Sequence, residues 1–296
     1  MCGLCGFIQI DRVIEPSSMT AVVERMADTL FHRGPDDSGT WIDRDAGIAL
    51  GHRRLSIIDL SPEGHQPMTS QSGRYVMAYN GEIYNFRELR IDLEQDGVHW
   101  RGHSDTEVML AAFEAWGIEG ALQRFNGMFA FALWDRDEKV LHLARDRLGE
   151  KPLYYGWTGK TFLFASELKA LRAHPAWRGE IDRNALAAYL RHNYVPAPYS
   201  IYTGIAKLPA AHRLELRLSD PHAVQAEPYW SLRDVAEAGV ADPLEGDDES
   251  SVEALDRLLR DAIARRMVAD VPVGVFLSGG IDSSTVVALM QAQSSR

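Results

Sequence analysis

The chain has 296 residues, 46% hydrophobic and 25% charged, which is enough for a large packed core. Its formal net charge of −11 argues against a general nucleic-acid or anionic-membrane surface, although a local basic site could still bind a small anion. Two cysteines, Cys2 and Cys5, cannot form a disulfide framework for a chain of this size. The N-terminus lacks a secretory signal pattern and no apolar stretch reaches the ~20 residues of a membrane span, so the sequence predicts a soluble cytoplasmic protein.

Residues 1–170 alternate short strand patterns with a few amphipathic helices. Helices are predicted for Ser17–Leu30, capped by Ser17 or Ser18, and for Glu107–Trp116, which Ser104 caps and Gly117 ends. Several hairpin-like strands with few helices between them favour an antiparallel sandwich flanked by helices over a parallel sheet. The predicted strands are Gly6–Ile10, Arg74–Tyr79 with an Asn80-Gly81 turn at its end, Gly127–Trp134, Lys139–Ala144 and Thr161–Ala165.

The next part of the chain contains a predicted helix at Ala185–His192 and a short predicted strand at Arg213–Leu218. It then becomes acidic, and from Glu237 it is poor in large apolar residues. We interpret residues 216–250 as a connecting segment and an interdomain linker.

From Ser251 the pattern changes to an amphipathic helix, a buried strand at Val271–Leu277, a Gly-Gly turn and a helix from Ser283. This order is typical of the opening of an α/β nucleotide-binding domain. Residues 251–296 are too few to complete a doubly wound sheet, so we expect this second domain to be truncated.

Cys2 is a candidate nucleophile because removal of Met1 would leave one residue with both a thiol and an α-amine. A thiol with a pKa of ~8.5 is mostly protonated at neutral pH, whereas an α-amine titrates at ~7.7–8.0 and can accept the thiol proton, directly or through water. The alternatives are a small residue without a role and a redox CxxC pair with Cys5. Such a pair normally opens a helix, whereas a strand follows here, and we expect Cys5 to pack as a small apolar residue.

Several further motifs follow in chain order. Together they resemble the glutaminase half of class II glutamine amidotransferases, and within that group the glutamine-hydrolysing asparagine synthetases. The resemblance runs along the whole chain. The motifs are MCGLCGF, RGPDDSG (Arg33–Gly39), RRLSIID (Arg53–Asp59), YNGEIYN (Tyr79–Asn85), SDTE (Ser104–Glu107), RDRLGEKPLYY (Arg145–Tyr155) and FASELKAL (Phe164–Leu171).

The resemblance implies an α+β fold in two domains. Residues 2–215 would form a glutaminase domain with the N-terminal-nucleophile αββα sandwich of antiparallel sheets. Residues 251–296 would begin an α/β pyrophosphate-loop domain of the ATP-pyrophosphatase type.

The resemblance also implies a site for glutamine. Arg54, rather than Arg53, would clamp the α-carboxylate, and Asp105 would pair with the α-ammonium. Asn80 and Gly81 would stabilise the oxyanion on the amide, and a Cβ at Gly81 would block the approach of backbone to substrate. Taken without the motifs, Arg54 is typical of a surface arginine and Asn80-Gly81 of a turn, and Asp105 is typical of an acidic residue in the first turn of a helix. The implied catalytic residues are Cys2, Asn80 and Gly81, and the implied glutamine-binding residues are Arg54, Ile57, Ile58, Asn80, Glu82 and Asp105.

The motif FLSGGIDSS (Phe276–Ser284) presents backbone N–H groups at a predicted helix N-terminus, which is the geometry of a pyrophosphate cradle. It lacks the GK[ST] ending of a Walker A loop and resembles the pyrophosphate loop of ATP pyrophosphatases, which adenylate a carboxylate. The alternative is a plain helix cap. Mg²⁺ would screen the phosphate charge, with Asp282 as its candidate ligand. The implied ATP-binding residues are Leu277, Ser278, Gly279, Gly280, Asp282 and Ser283.

The function implied by the resemblance is glutamine hydrolysis through a Cys2 thioester, followed by transfer of ammonia to an acyl-adenylate of aspartate. The products would be asparagine, glutamate, AMP and pyrophosphate. The partners would be small molecules (glutamine, ATP and aspartate), with no nucleic acid and no membrane, and a homodimer stays open.

Three alternatives remain. The first is an enzyme of the same build that acts on another carboxylate, in cell-surface or natural-product synthesis. The second is a class II amidotransferase with a phosphoribosyl or sugar-phosphate acceptor, against which the SGGIDSS loop argues. The third is a non-catalytic descendant, against which the intact Cys2, Arg54, Asn80 and Asp105 argue.

Overall fold

A computed structural model describes residues 2–10 and 15–294 of the chain. These residues form two compact units, and the boundary falls between Trp230 and Ser231. The strands that the structure describes all lie in the first unit.

The first unit contains two six-stranded sheets in which neighbouring strands pair antiparallel. Its strands are β1 (Gly3–Gln9), β2 (Asp37–Asp43), β3 (Ile48–Arg54), β4 (Met68–Thr69), β5 (Tyr75–Ile83), β6 (Gly127–Asp135), β7 (Val140–Arg145), β8 (Tyr154–Thr158), β9 (Thr161–Ala165), β10 (Ile205–Lys207), β11 (His212–Arg217) and β12 (Ala226–Pro228). The first sheet has the order β10-β8-β9-β1-β3-β2, and the second has the order β12-β11-β7-β6-β5-β4.

The helices also divide between the units. Those of the first unit are α1 (Met19–Asp28), α2 (Phe86–Gln95), α3 (Asp105–Arg124), α4 (Leu168–Arg172) and α5 (Arg183–His192). Those of the second unit are α6 (Leu232–Ala241), α7 (Asp248–Arg266) and α8 (Ile281–Gln293). The predicted apolar face of α1 is buried, and Ser18, one of the two predicted caps, occupies the N-cap position, although its side chain makes no capping hydrogen bond.

The two sheets pack face to face, and helices cover their outer faces. Alternate residues of β1 and β5, such as Leu4 and Val76, meet in the inner core, where each fully buried large side chain contributes about 1.5–3 kcal/mol. On the outer side of the first sheet, Phe7 packs with residues of α1 and α4. On the second sheet, the ring of Phe113 in α3 lies 5.3 Å from that of Phe131 in β6. The predicted αββα sandwich is confirmed.

Two boundaries of the first unit differ from the sequence prediction. Asn80 and Gly81 form no turn, because β6 supplies pairing partners along the whole of β5, as far as the pair of Ile83 with Gly127. Gly117, with a φ of 69°, is non-helical and ends the first of two helices that α3 joins across a kink, as predicted, but the second of them continues to Arg124, which the sequence did not predict.

The strand predicted at Val271–Leu277 is wrong. These residues have no regular secondary structure, and Phe276 is 100% exposed. A strand needs a neighbouring strand to pair its backbone and to cover its side chains, and the described part of the second unit contains none. The segment is therefore apolar in sequence but exposed to solvent in the structure.

The segment predicted to connect the domains also contains regular structure. Residues 226–228 form β12, which pairs with β11 and so extends the first unit beyond residue 215. Residues 232–241 form α6, whose N-cap Ser231 accepts a hydrogen bond from the N–H of Asp234. The domain ranges stay a prediction.

Candidate active site

Three rows of inner-facing side chains end at the same edge of the sandwich. Because side chains alternate along a strand, Cys2 continues the row of β1 that contains Leu4 in the inner core. By the same alternation, the inner rows of β3 and β5 lead to Arg54 and Asn80. Cys5 lies on the opposite face of β1 among core residues, which rules out its pairing with Cys2 as a redox couple and confirms that it packs as an apolar residue.

A cavity lies at this edge. All the residues that the sequence predicts for the glutamine site line it, namely Cys2, Arg54, Ile57, Ile58, Asn80, Gly81, Glu82 and Asp105. The cavity is also lined by residues that the sequence did not single out, including Leu55, Gly64, Gln66, Tyr79, Met128 and Lys151. The fold thus assembles the predicted residues from distant parts of the chain.

The Cys2 thiol faces the backbone of Leu55. The N–H of Leu55 donates to Sγ over 3.4 Å, and Sγ lies 3.6 Å from the carbonyl oxygen of the same residue. Burial raises the pKa of the Cys2 thiol, although the Leu55 hydrogen bond opposes this. Because the thiol is then protonated at neutral pH, a nucleophilic attack by Sγ needs a base. Met1, whose removal would expose an α-amine here, lies outside the described residues.

Two motifs hold the backbone of Cys2. Nε of Arg33 donates to the Cys2 carbonyl over 2.8 Å, and Nη1 of Arg33 donates to Glu167 over 2.9 Å. Glu167 also contacts His32 at 3.0 Å and Lys169 at 3.1 Å. Burial opposes ionisation of Glu167, but hydrogen bonds from Arg33, Lys169 and His32 outweigh it and lower its pKa to about 2. The cluster therefore remains charged at neutral pH and fixes the position of Cys2.

Arg54 is buried at the wall of the cavity. Its Nη2 donates to the carbonyl of Ile58 over 3.1 Å and also to that of Asp59. Gly64 lies so close that a Cβ there would collide with the guanidinium. Arg53 points to the other face of β3, where it forms an ion pair with a carboxylate of α1. The alternation along β3 thus selects Arg54 as the cavity arginine, in a position to clamp a carboxylate.

Asn80 is fully buried, yet neither its Nδ2 nor its Oδ1 has a hydrogen-bond partner among the described residues. Leaving a buried polar group unsatisfied costs about 1–3 kcal/mol, so such a group calls for an explanation. Asn80 lines the cavity, and a ligand carbonyl or oxyanion there would satisfy the Nδ2 group.

The backbone N–H of Gly81 also points toward the cavity. Tyr79 and Ile83, two residues away on either side, donate their N–H groups to Gln66 (2.7 Å) and Asp105 (2.9 Å), which both line the cavity. Because N–H direction alternates along a strand, the N–H of Gly81 has the same orientation as theirs. A Cβ at Gly81 would collide with the backbone of β6, at 2.7 Å from the Cα of Phe129, so the pairing of β5 with β6 by itself requires a glycine here.

Asp105 is a buried carboxylate at the wall of the cavity, beside β5. Its Oδ2 accepts hydrogen bonds from the hydroxyl of Tyr79 over 2.8 Å and from the N–H of Ile83 over 2.9 Å. Burial raises the pKa of Asp105, although these donors oppose the shift. A ligand ammonium would therefore stabilise the ionised form that the cavity by itself disfavours.

The predicted ATP loop belongs to the second unit and is exposed. Gly279 has a φ of 82°, and Gly280 is the N-cap of α8, as expected for a turn that opens a helix. The hydroxyls of Ser278 and Ser283 lie 3.0 Å apart, while Leu277 is 61% exposed. Asp282 lies in the first turn of α8, and its single carboxylate fits an Mg²⁺ ion bound mainly through nucleotide phosphates.

Lys151 is the main cavity residue that the sequence reasoning missed. It belongs to the motif RDRLGEKPLYY, which was used for the resemblance but was given no chemical role. Its position before Pro152 predicts a loop and does not reveal which surface the side chain reaches. Gln66, which pairs with the backbone of Tyr79, had no sequence signal at all.

Two kinds of feature are absent from the described residues. No helix within residues 2–10 and 15–294 has the length and apolarity needed to cross a membrane. In the same part of the chain, no group of three or more His, Cys, Asp or Glu side chains is arranged to hold a metal ion.

Family models match nearly the whole chain. A model described as a glutamine amidotransferase domain matches residues 1–230, and one described as asparagine synthase matches residues 254–296. Asparagine synthetase [glutamine-hydrolyzing] 3 of Bacillus subtilis is 37% identical over 98% of this chain and 45% of its own length. Amidase chry2 of Gibberella zeae is 34% identical over 98% of this chain and 43% of its own length. The chain spans about half the length of the curated relatives it matches.

Solved structures share the fold. Glutamine phosphoribosylpyrophosphate amidotransferase from B. subtilis matches with a TM-score of 0.54 and 18% identity, over 98% of this chain and 64% of that one. A structure described as the allosteric regulatory enzyme of purine biosynthesis matches with a TM-score of 0.56 and 19% identity, over 77% of this chain and 49% of that one. At these identities the likeness concerns the fold alone.

Proposed function

The chain belongs to the glutamine amidotransferase family, and from this premise we propose that it hydrolyses glutamine with Cys2 as the nucleophile. The observation that carries the proposal is the buried amide of Asn80, which has no partner among the described residues and lines the same cavity as Cys2. Such a group stabilises negative charge that develops on a substrate oxygen. If the cavity had only a structural role, there would be no physical reason for a buried amide that lacks a partner among the described residues.

Glutamine would bind with its α-carboxylate on Arg54 and its α-ammonium on Asp105, with Glu82 as a further acceptor. Sγ of Cys2 attacks the side-chain amide carbon while the α-amine of processed Cys2 takes the thiol proton. The N–H groups of Asn80 and Gly81 donate to the oxyanion. The carbon–nitrogen bond then breaks, and the departing nitrogen takes a proton from the α-ammonium and leaves as ammonia.

The resulting γ-glutamyl thioester is hydrolysed in the second half of the reaction. Water attacks the thioester carbon and gives its proton to the α-amine, which returns it to the departing sulfur. Glutamate is released and the Cys2 thiol is restored. The same amine thus serves as base and acid in both halves.

For a protein that carries the complete second domain, we propose glutamine-dependent asparagine synthesis. The loop residues 277–283 would bind the phosphates of ATP, and Mg²⁺, held in part by Asp282, would screen their charge. The acyl-adenylate of aspartate would then react with the ammonia to give asparagine and AMP. The match of residues 254–296 to the asparagine synthase model supports this assignment.

A second candidate is the same reaction with another carboxylate acceptor. The relative from Gibberella zeae supports this second candidate. It is named as an amidase, and its identity to this chain, 34%, is close to the 37% of the asparagine synthetase from Bacillus subtilis. Pyrophosphate release by the complete protein, measured over a series of carboxylate acceptors with glutamine as nitrogen donor, distinguishes the two.

Cys2→Ala tests the hydrolytic mechanism. It is expected to abolish glutaminase activity while leaving ammonia-dependent synthesis by the complete protein, because only the source of ammonia is lost. Cys5→Ala, the matched control on the other face of β1, keeps the activity. Glutamine turnover by Cys2→Ala, or a mature chain in which mass spectrometry still finds Met1, would contradict the mechanism.

A further inference from the structure

The motif RDRLGEKPLYY builds a rigid loop beside the cavity. The buried carboxylate of Asp146 accepts N–H groups from Glu150 at 2.9 Å, Lys151 at 3.0 Å and Phe129 of β6 at 3.1 Å. Nε of Arg145 donates to the Lys151 carbonyl over 2.6 Å. These contacts tie both the nitrogen and the oxygen of the Lys151 backbone to the second sheet.

The side chain of Lys151 enters the cavity. Lys151 is only 4% exposed, and its Nζ lies 2.7 Å from Sδ of Met128. Met128 is the β6 partner of Glu82, which is two residues beyond Asn80 on the same face of β5. The ammonium of Lys151 therefore lies at the part of the cavity wall where Glu82 contributes a carboxylate.

The cavity contains a nearly balanced set of charges. Its wall carries Arg54 from the end of β3, Glu82 from β5, Asp105 from α3 and Lys151 from the loop, and Arg33 holds the Cys2 carbonyl. Bound glutamine would neutralise Arg54 and Asp105 with its own carboxylate and ammonium. Burial lowers the pKa of Lys151, and the carboxylates of Glu150, Glu82 and Asp146, in that order, oppose the shift.

Resting on the function proposed above, we propose that Lys151 neutralises Glu82 and so prevents this carboxylate from holding the α-amine of processed Cys2 as an ammonium. The amine can act as a base only when it is unprotonated. At an effective dielectric of about 20, a charge about 10 Å away shifts the pKa of another group by about one unit. Lys151 is thus a positioning residue: it influences whether the α-amine of Cys2 carries a proton, and it need not touch the substrate.

The test is the pH dependence of kcat for glutaminase activity at saturating glutamine, since its acidic limb reports the base in the enzyme–substrate complex. In Lys151→Met the limb is expected to move up by about one pH unit, because unopposed Glu82 favours the protonated amine. In Glu82→Gln it moves down, and in the double variant it returns close to that of the unmodified enzyme. Lys151→Arg, which keeps the charge, leaves the limb in place.

Lys139→Met is the matched control, since Lys139 is an exposed lysine of the same unit that does not line the cavity. A loss of packing alone would lower kcat equally at all pH values, or lower the temperature of unfolding, without moving the limb. If the acidic limb of the pH profile does not move in either Lys151→Met or Glu82→Gln, the proposal is overturned. The result for Glu82→Gln stands even if Lys151→Met fails to fold. Failure of the proposed function is a separate outcome, seen as glutamine turnover by Cys2→Ala.

Discussion

The cavity of the first unit and the glycine loop of the second unit both offer small residues and N–H groups to a ligand, but in opposite surroundings. Asn80 is fully buried at the end of an inner row of the sandwich, whereas Phe276, at the start of the loop, is fully exposed. Hydrogen bonds in the cavity join residues as far apart as Cys2 and Leu55, while the serine hydroxyls of the loop pair only five residues apart.

The difference shows which structures a short segment can form by itself. A glycine turn and a helix N-cap depend on neighbours in sequence, so the loop forms even though no strand is paired beside it. A cavity with a buried amide and a buried carboxylate requires two complete sheets to exclude water. We therefore expect substitutions in the first unit to have large effects and matched substitutions in the second to have small ones.

The largest expected effect is on stability. Leu50→Ala, in the inner core of the sandwich, should lower the free energy of unfolding by about 2–5 kcal/mol, because it leaves a cavity where the side chain is fully buried. Leu258→Ala, in α7 where Leu258 is 69% exposed, should change it by less than about 0.5 kcal/mol. Urea unfolding measures the free energy of unfolding of both variants. Equal decreases would show that the core of the second unit contributes as much to stability as that of the first.

Asn80→Ala should lower kcat for glutamine hydrolysis by about 100- to 1000-fold with a smaller change in KM, because the lost donor acts on the oxyanion. Steady-state kinetics give the split between kcat and KM. Asn184→Ala, on the exposed side of α5, is the control and should leave both constants unchanged. A loss confined to KM would assign Asn80 to substrate binding alone.

Asp105→Asn should raise the KM for glutamine by about 10- to 100-fold, since a charged hydrogen bond to the α-ammonium is worth about 1.5–3 kcal/mol. In the unmodified enzyme, KM should also rise as the pH falls through the raised pKa of Asp105, because burial favours its neutral form, which cannot pair with an ammonium. This pH dependence disappears in Asp105→Asn. Asp92→Asn, on the surface of α2, is the control.

The smallest expected effect on glutamine hydrolysis concerns the loop. Ser278→Ala should leave glutaminase kinetics unchanged, while in a protein with the complete second domain it should raise the KM for ATP by about 10- to 100-fold through a lost hydrogen bond to phosphate. Glutamine hydrolysis and pyrophosphate release are measured on the same preparation. A fall in the glutaminase activity of residues 1–296 alone would show that the loop influences the glutamine site.

Much of the first unit could be predicted, because strands with a buried face carry a local pattern of apolar residues. The sequence predicts a hairpin around the polar turn Asp135–Glu138, and its two strands are confirmed as β6 and β7. Errors arose where pairing overrides local preference. Asn80-Gly81 is a common turn sequence, yet β6 keeps it extended, and Val271–Leu277 has a strand composition without a partner to pair with.

The site could be predicted as a set of residues but not as a geometry. The resemblance named Arg54 and Asp105, while the position of Lys151 depended on the loop that Asp146 holds against β6. A motif records which residues occur together, but it does not record which of them a fold turns inward. The charge balance between Lys151 and Glu82 is therefore invisible before the sheets are assembled.

The sequence by itself determined the family, the antiparallel sandwich and the identity of the candidate nucleophile, because residue types, apolar periodicity and motif order are local properties of the chain. Only the tertiary structure decided that Asn80 is buried without a partner among the described residues, and that Lys151 lines the same cavity as Glu82. These outcomes depend on strand register and on water exclusion, which arise when segments far apart in sequence pack together.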